Sequence, residues 1–143
     1  MKCLASCFAL AVIILTVSLE TAQAEDVPNL VVCSTAEILE CLPVEACERV
    51  NADSIGAPNF LRLNLAKGLI SRKPPGGEEI TSPIRHTAEL DGRLILQGAE
   101  SGIEGTSRGL GWTISIDKQT GAMVLTGSGD GVAFVVFGAC MIP

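Results

Sequence analysis

Gly111-Trp112-Thr113-Ile114-Ser115-Ile116-Asp117 decides how this chain is read, because apolar side chains at 112, 114 and 116 alternate with polar ones at 113, 115 and 117. A period of two puts successive side chains on opposite faces of an extended strand, one face buried and the other wet. Asp117-Lys118-Gln119-Thr120-Gly121 follows, with Gly121 placed to take the left-handed position of a bulged hairpin turn. Met123-Val124-Leu125-Thr126 then reads as the return strand, Gly127-Ser128-Gly129-Asp130-Gly131 as a glycine-rich turn, and Val132 to Cys140 as the last strand.

The same texture extends toward the N-terminus. Arg85–Leu90 and Arg93–Gln97 flank Asp91-Gly92, a pair suited to a type I′ turn in which both central residues need positive φ. Leu61, Leu63 and Leu65 alternate with Arg62 and Asn64, and Lys67-Gly68 turns the chain toward Leu69-Ile70. Ser71 to Thr81, with Lys73-Pro74-Pro75-Gly76-Gly77-Glu78-Glu79, carries the strongest loop signals, and Glu100 to Gly111 forms a second flexible connection. Asn29-Leu30-Val31-Val32-Cys33 reads as the first strand. Ser34-Thr35-Ala36-Glu37 then shows capping-box spacing, and Pro43 with Glu45 suits another turn, so short helical turns or a compact cysteine-tied loop are expected over residues 34–50. The fold class is all-β, an antiparallel meander of roughly seven or eight strands curled into a barrel that removes exposed edges; a two-sheet β-sandwich is the alternative.

Met1-Lys2 supplies a positive start, Phe8 to Val17 is an almost unbroken apolar run, and Ala22-Gln23-Ala24 is the small-x-small pattern cut by a signal peptidase. The run of about ten residues is shorter than the ~20 needed to cross a bilayer. Leu4-Ala5-Ser6-Cys7 spells a lipoprotein box, but it precedes the apolar run instead of following it. The expectation is a cleaved signal peptide over residues 1–24 and a single domain over 25–143, periplasmic or secreted, and not an integral membrane protein after cleavage.

Cleavage removes one base, Lys2, and one acid, Glu20, from ten basic and sixteen acidic side chains, so the net charge of −6 persists. Acidity, scattered basic residues and the absence of an aromatic platform argue against nucleic acid as a partner. Cys33, Cys41, Cys47 and Cys140 survive cleavage, an even number that in a small exported domain reads as two disulfides. Of three possible pairings, Cys33–Cys140 with Cys41–Cys47 is favoured: residues 42–46 suit a local loop, and the other bond joins the two chain ends. No Cys-x-x-Cys and only one histidine argue against a metal or redox site.

No catalytic, cofactor-binding or metal-binding residue is assigned. His86, the sole histidine, has no nucleophile motif around it; no serine sits in Gly-x-Ser-x-Gly; and Gly127–Gly131 lacks the lysine and following helix of a phosphate loop. Glu78-Glu79 is a loop pair without glycosidase spacing. Trp112, the only tryptophan, is either a core anchor or a ligand contact.

Leu94-Ile95-Leu96-Gln97-Gly98, Gly111-Trp112-x-Ile114-x-Ile116-Asp117-x-x-Thr120-Gly121 and Phe134-x-Val136-Phe137-Gly138-x-Cys140, with the early cysteine cluster, resemble a family of small exported bacterial proteins. The resemblance covers most of the chain after residue 24 and implies an exported bacterial β protein, without an activity. Periplasmic lysozyme inhibitors of the small-barrel type share size, export and disulfides, but their Ser-Gly-x-Arg-Tyr loop is absent and this chain has no tyrosine. Lipocalins carry Gly-x-Trp early in the barrel, whereas Gly111-Trp112 lies late. The functional expectation is a non-enzymatic binding or inhibitor-like module for a protein or small ligand, without a cofactor. A structural cell-envelope component and a hydrolase using His86 are the alternatives.

Overall fold

The computed structural model describes residues 30–101 and 109–142. The expected signal peptide lies outside the described residues, as does the greater part of the connection between residues 101 and 109. The elements are β1 (Leu30–Cys41), β2 (Glu48–Val50), a 3-10 turn (Ala52–Ile55), β3 (Phe60–Asn64), β4 (Leu69–Arg72), β5 (Ile80–Leu90), β6 (Arg93–Glu100), β7 (Leu110–Asp117), β8 (Ala122–Gly129) and β9 (Val132–Met141).

Each strand from β3 to β9 pairs antiparallel with the next, β3 pairs with β1, and β1 pairs with β9. Eight strands therefore close on themselves as a barrel, and the sandwich alternative falls. The ninth strand, β2, pairs with Ile38–Glu40 on the edge of β1 that β3 leaves free beyond Ser34. Among the described residues no helix is long and apolar enough to cross a membrane.

Alternation fixes what faces inward. Leu61 and Leu63, Leu94 and Leu96, and Trp112, Ile114 and Ile116 are all buried, as the period of two requires. Leu63, Leu96, Ile114, Ile116 and Met123 are essentially sealed from solvent, each contributing roughly 1.5–3 kcal/mol of transfer free energy. They crowd the end of the barrel served by short turns. Eight strands enclose an interior about wide enough for side chains to fill, and at this end they fill it.

The expected helical turn at Ser34–Glu37 is overturned: β1 runs unbroken to Cys41. The Ser34 hydroxyl donates to the Ala139 carbonyl at 3.4 Å, and Thr35 Oγ1 to the Pro58 carbonyl at 3.0 Å, so neither caps a helix. Ladder bonds to β9 outweigh the local capping preference. A register shift between Thr35 and Glu37 inserts one residue, a β-bulge. It moves the inward phase from Val31 and Cys33 to Ile38, which keeps Ile38 buried. The cysteine-tied loop at 42–46 forms as expected, and the helical element appears later, at Ala52–Ile55.

A second boundary also moves. Gly127–Gly129 belongs to β8, and the turn shrinks to Asp130-Gly131, with φ of 55° and 79°, the same left-handed pair that Asp91-Gly92 adopts at 48° and 77°. In the hairpin between β7 and β8 the Asp117 carboxylate accepts the Thr120 and Gln119 N–H groups at 2.9 and 3.0 Å. Those two backbone bonds hold its pKa below the ordinary 3.8.

Cys33 stands directly opposite Cys140 on β1 and β9, and the two form a disulfide inside the barrel; Cys41 and Cys47 form the other. Within the second loop, Leu42-Pro43-Val44-Glu45 makes a turn with the Glu45 N–H directed to the Leu42 carbonyl, and Val44 sits at φ 62° with its side chain fully exposed. A β-branched residue in the left-handed region is strained.

Two outcomes follow for stability in urea. Replacing Cys33 and Cys140 together by Ala, which opens a linkage across 107 residues, is expected to cost about 4–5 kcal/mol, well above the cost of removing Cys41–Cys47. Val44→Gly is expected to stabilise the fold by about 1 kcal/mol, because glycine adopts positive φ without penalty.

Candidate functional site

The two ends of the barrel differ. At one end lie the short connections 65–68, 91–92 and 118–121 together with the Cys33–Cys140 bond. At the other lie the longer segments 42–59 and 73–79, the tight turn at 130–131, and the facing ends of β6 and β7 at Glu100 and Leu110. At this second end the interior is incompletely filled and holds a cavity of about 200 Å³. Its wall is largely apolar, with Ile38, Leu61, Ile70, Leu110, Trp112 and Val136 facing in from five strands. Ala57 and Pro58 complete it from the segment ahead of β3, tied to β1 by the bonds from Thr35 to Asn59 and Pro58.

Two features account for the space. Gly127 occupies an inward position of β8, where any other residue would project a side chain into the interior. The nearest atoms a Cβ there would meet belong to Leu110, at 3.5 Å, an ordinary contact distance, so the fold does not require the glycine for lack of room. The other feature is an ion pair where aliphatic side chains would be expected. Glu100 continues the inward phase of Leu94 and Leu96 on β6, and Arg72 continues that of Ile70 on β4.

Arg72 grips Glu100 with two bonds, Nη2 to Oε2 at 2.5 Å and Nε to Oε1 at 3.3 Å. Their side chains retain 24% and 13% exposure, unlike the open surface pairs Arg62–Glu79 and Arg49–Glu37. Ser82, the one buried polar residue among the described residues, adds a hydrogen bond to the same carboxylate. Burial pushes the Glu100 carboxyl pKa up; the bonds from Arg72 and Ser82 and the Arg72 charge together outweigh it and hold the group below its ordinary 4.5. Paired, hydrogen-bonded charge is the form in which a barrel interior tolerates ions.

Trp112 completes the constellation. Its residue is 6% exposed, it lines the cavity, and it faces Gly98 across the β6–β7 ladder. The indole lies on the glycine: a Cβ at 98 would stand 2.6 Å from Trp112 Cε2 and 2.8 Å from the Pro83 carbonyl oxygen. Among the described residues, Trp112 Nε1 is the one buried side-chain polar atom to which no protein group offers an acceptor. Trp112 is thus a core anchor, and its residue also forms part of the cavity wall.

His86 lies elsewhere, exposed on the outer face of β5 opposite Gln97, with no hydrogen bond or ion pair to another described side chain. Lys73, Pro74 and Gly76 border a separate groove of about 590 Å³ with Phe60 and Arg62. That groove is larger, but it lies outside the barrel wall and its rim is charged, so it offers a ligand less apolar enclosure than the interior cavity. Glu79 at its edge pairs with Arg62 at 3.4 Å. Among the described residues no three His, Cys, Asp or Glu side chains gather into a metal-holding group.

Because the Glu100 pKa is depressed in the folded state, its contribution to stability is fully present above the unfolded value and is lost as pH falls through the folded one. Urea midpoints are expected to decline as pH drops below 4.5, and Glu100→Gln to flatten part of that decline while lowering stability at neutral pH by roughly 1–3 kcal/mol. Gly98→Ala is expected to cost about 1–3 kcal/mol by overpacking and to alter Trp112 emission, which fluorescence during denaturation would register. The chain matches no protein-family model, no curated protein and no solved structure at a significant level.

Proposed function

We propose that this chain is an exported, non-enzymatic binding protein that holds a small ligand in the cavity at the open end of its barrel. The observation that carries the reading is the contrast within one interior: sealed at the Cys33–Cys140 end, yet spacious at the other around Gly127, Trp112 and the Arg72–Glu100 pair. Concave, mostly apolar spaces with a few convergent polar groups are what small-molecule sites have in common. Two disulfides support residence in an oxidising compartment, periplasmic or extracellular. His86 is exposed opposite Gln97, and no hydrogen bond or ion pair joins it to another described side chain, so the hydrolase alternative gains no support from the described residues.

An apolar cavity of about 150 Å³ accepts one benzene ring, so a space of about 200 Å³ suits a single-ring or short-chain molecule. Ethylbenzene titrated into the protein is expected to shift the emission of its sole tryptophan, Trp112, with saturation. Gly127→Val, which puts a side chain into the space without displacing backbone, is expected to abolish the shift and leave stability within about 1 kcal/mol of the parent. An unsaturable response, or an equal one in Gly127→Val, would remove the cavity as the ligand site.

A second reading, an inhibitor-like contact with another protein, is favoured by the disulfide-closed loop that displays Val44 in a strained conformation. It predicts that the protein slows a cationic lysozyme at micromolar concentration, and that Val44→Gly weakens the effect. No inhibition would set it aside.

A further inference from the structure

Barrel closure leaves a stretch of β5 unpaired on one side. The strand runs from Ile80 to Leu90, but β4 accompanies it only through Pro83, and beyond that point the Ile84 N–H donates to the Gly68 carbonyl at 2.8 Å. On the other flank β6 continues to the hairpin tip. Among the described residues no strand pairs with the first flank over Arg85–Leu90, where every residue but Ala88 is exposed. A row of open backbone groups of this kind is a template for a further strand.

Which groups the flank offers follows from the ladder. The Asp91-Gly92 turn, with both residues at positive φ, makes Leu90 and Arg93 the closing hydrogen-bonded pair. Pairs alternate from there, so Ala88 and His86 bond to Ile95 and Gln97, while Thr87 and Glu89 turn their N–H and C=O groups away from β6. The bulge between Ile84 and His86 produces this phase: Ile84 faces the β4 side, and past the extra residue, Arg85, the odd-numbered positions do. Arg85 and Lys118 balance Glu89 and Asp91 along this edge, in a chain whose net charge is −6, so two copies meet here without the repulsion the rest of the surface imposes.

We infer that this flank pairs antiparallel with the same flank of a second copy of the chain, forming a two-fold dimer through β5. The stretch is self-complementary when the axis passes through Ala88. Thr87 then lies opposite Glu89 of the second copy, and the reverse by symmetry, so each exchanges both of its open backbone bonds. The same register sets Arg85 against Asp91 of the second copy on both sides of the axis, and lays His86 against Leu90, which is 62% exposed in the single chain. Moving the axis to Glu89 puts like charges opposite each other, and moving it to Thr87 sets Glu89 opposite Arg85, whose backbone N–H the bulge turns toward β6. The flank belongs to the end of the short connections, so the dimer leaves the cavity end of each barrel open and stands independently of the ligand reading.

Sedimentation velocity of the full disulfide-bonded protein, from about 10 µM to about 1 mM, is expected to show a concentration-dependent dimer, as a short interface gives. Thr87→Pro removes an N–H that faces away from β6 and puts a ring where the second strand would lie, so it is expected to leave the monomer folded and to abolish the dimer. Arg85→Glu is expected to weaken association about tenfold or more, because repulsion replaces attraction on both sides of the axis. Adding Asp91→Asn, a residue suited to positive φ, is expected to recover part of that loss. Amide exchange supplies an independent readout: Thr87 and Glu89 exchange freely in dilute protein and become protected as the dimer forms. Should Thr87→Pro not fold, the Arg85→Glu series and the exchange measurement decide. A protein monomeric throughout the range, a dimer that survives Thr87→Pro, or an Arg85→Glu variant that associates as tightly as the parent would overturn the inference. So would amides of Thr87 and Glu89 already protected in the monomer, which would show that the chain covers its own edge. A monomer with both amides open at every concentration would assign the edge to an extended peptide of another protein instead.

Discussion

Pairing of β1 with β9 turns a meander into a closed wall, and the other properties of this domain follow from that closure. Closure pairs the first and last strands of the meander, which would otherwise be the two open edges of the sheet, and β2 adds to the flank of β1. It also makes the interior finite. Eight strands define a tube whose width is set by strand number and stagger, so whether side chains fill it is decided position by position along each inward phase. The Cys33–Cys140 bond lies in register across the closing pair, covalently repeating what the hydrogen bonds specify.

Given a tube of fixed width, occupancy is uneven. Large aliphatic side chains and Met123 saturate one half. In the other half, Gly127 contributes no side chain, Gly98 yields its volume to the Trp112 ring, and Arg72 and Glu100 direct their length toward one another. A cavity bounded in this way is stiff, because its walls are strands bonded on both sides. The exception is the segment from Asn51 to Asn59, which contributes Ala57 and Pro58 to the wall and is anchored through a small number of bonds to Thr35.

Strand identity and the direction of side chains were legible wherever alternation was uninterrupted, as at Leu61–Leu63 and Trp112–Ile116, and wherever a turn demanded a particular residue, as at Asp91-Gly92 and Gly121. The cysteine pairing was legible because chain ends that meet in a barrel bring Cys33 to Cys140. Ser34–Glu37 was misread because capping spacing is a local signal, and the bonds that overrode it come from β9, more than a hundred residues away. Gly127–Gly129 was misread because glycine marks both turns and places of close approach, which sequence does not separate. The polar constellation left a trace that was open to reading: Glu100 falls in step with Leu94 and Leu96, and a charge in an inward phase calls for a partner. That the partner is Arg72, on a strand two positions around the barrel, depends on the order of strands and not on local pattern.

The bulge in β1 and the pairing of β1 with β9 also bear on how the fold is acquired. The first strand cannot complete its hydrogen bonding until the last arrives, so the native ladder joins segments separated by 107 residues. Such non-local closure carries a large loop-entropy cost before any contact rewards it, which places the domain among slowly folding topologies. During synthesis, a chain lacking β9 would leave both edges of the unfinished sheet open and Cys33 without its partner. Disulfide exchange from an external oxidant that joins Cys33 to Cys140 thus marks the arrival of the final strand, and any shorter-range pairing of Cys33 with Cys41 or Cys47 would be a trap to be reshuffled before closure.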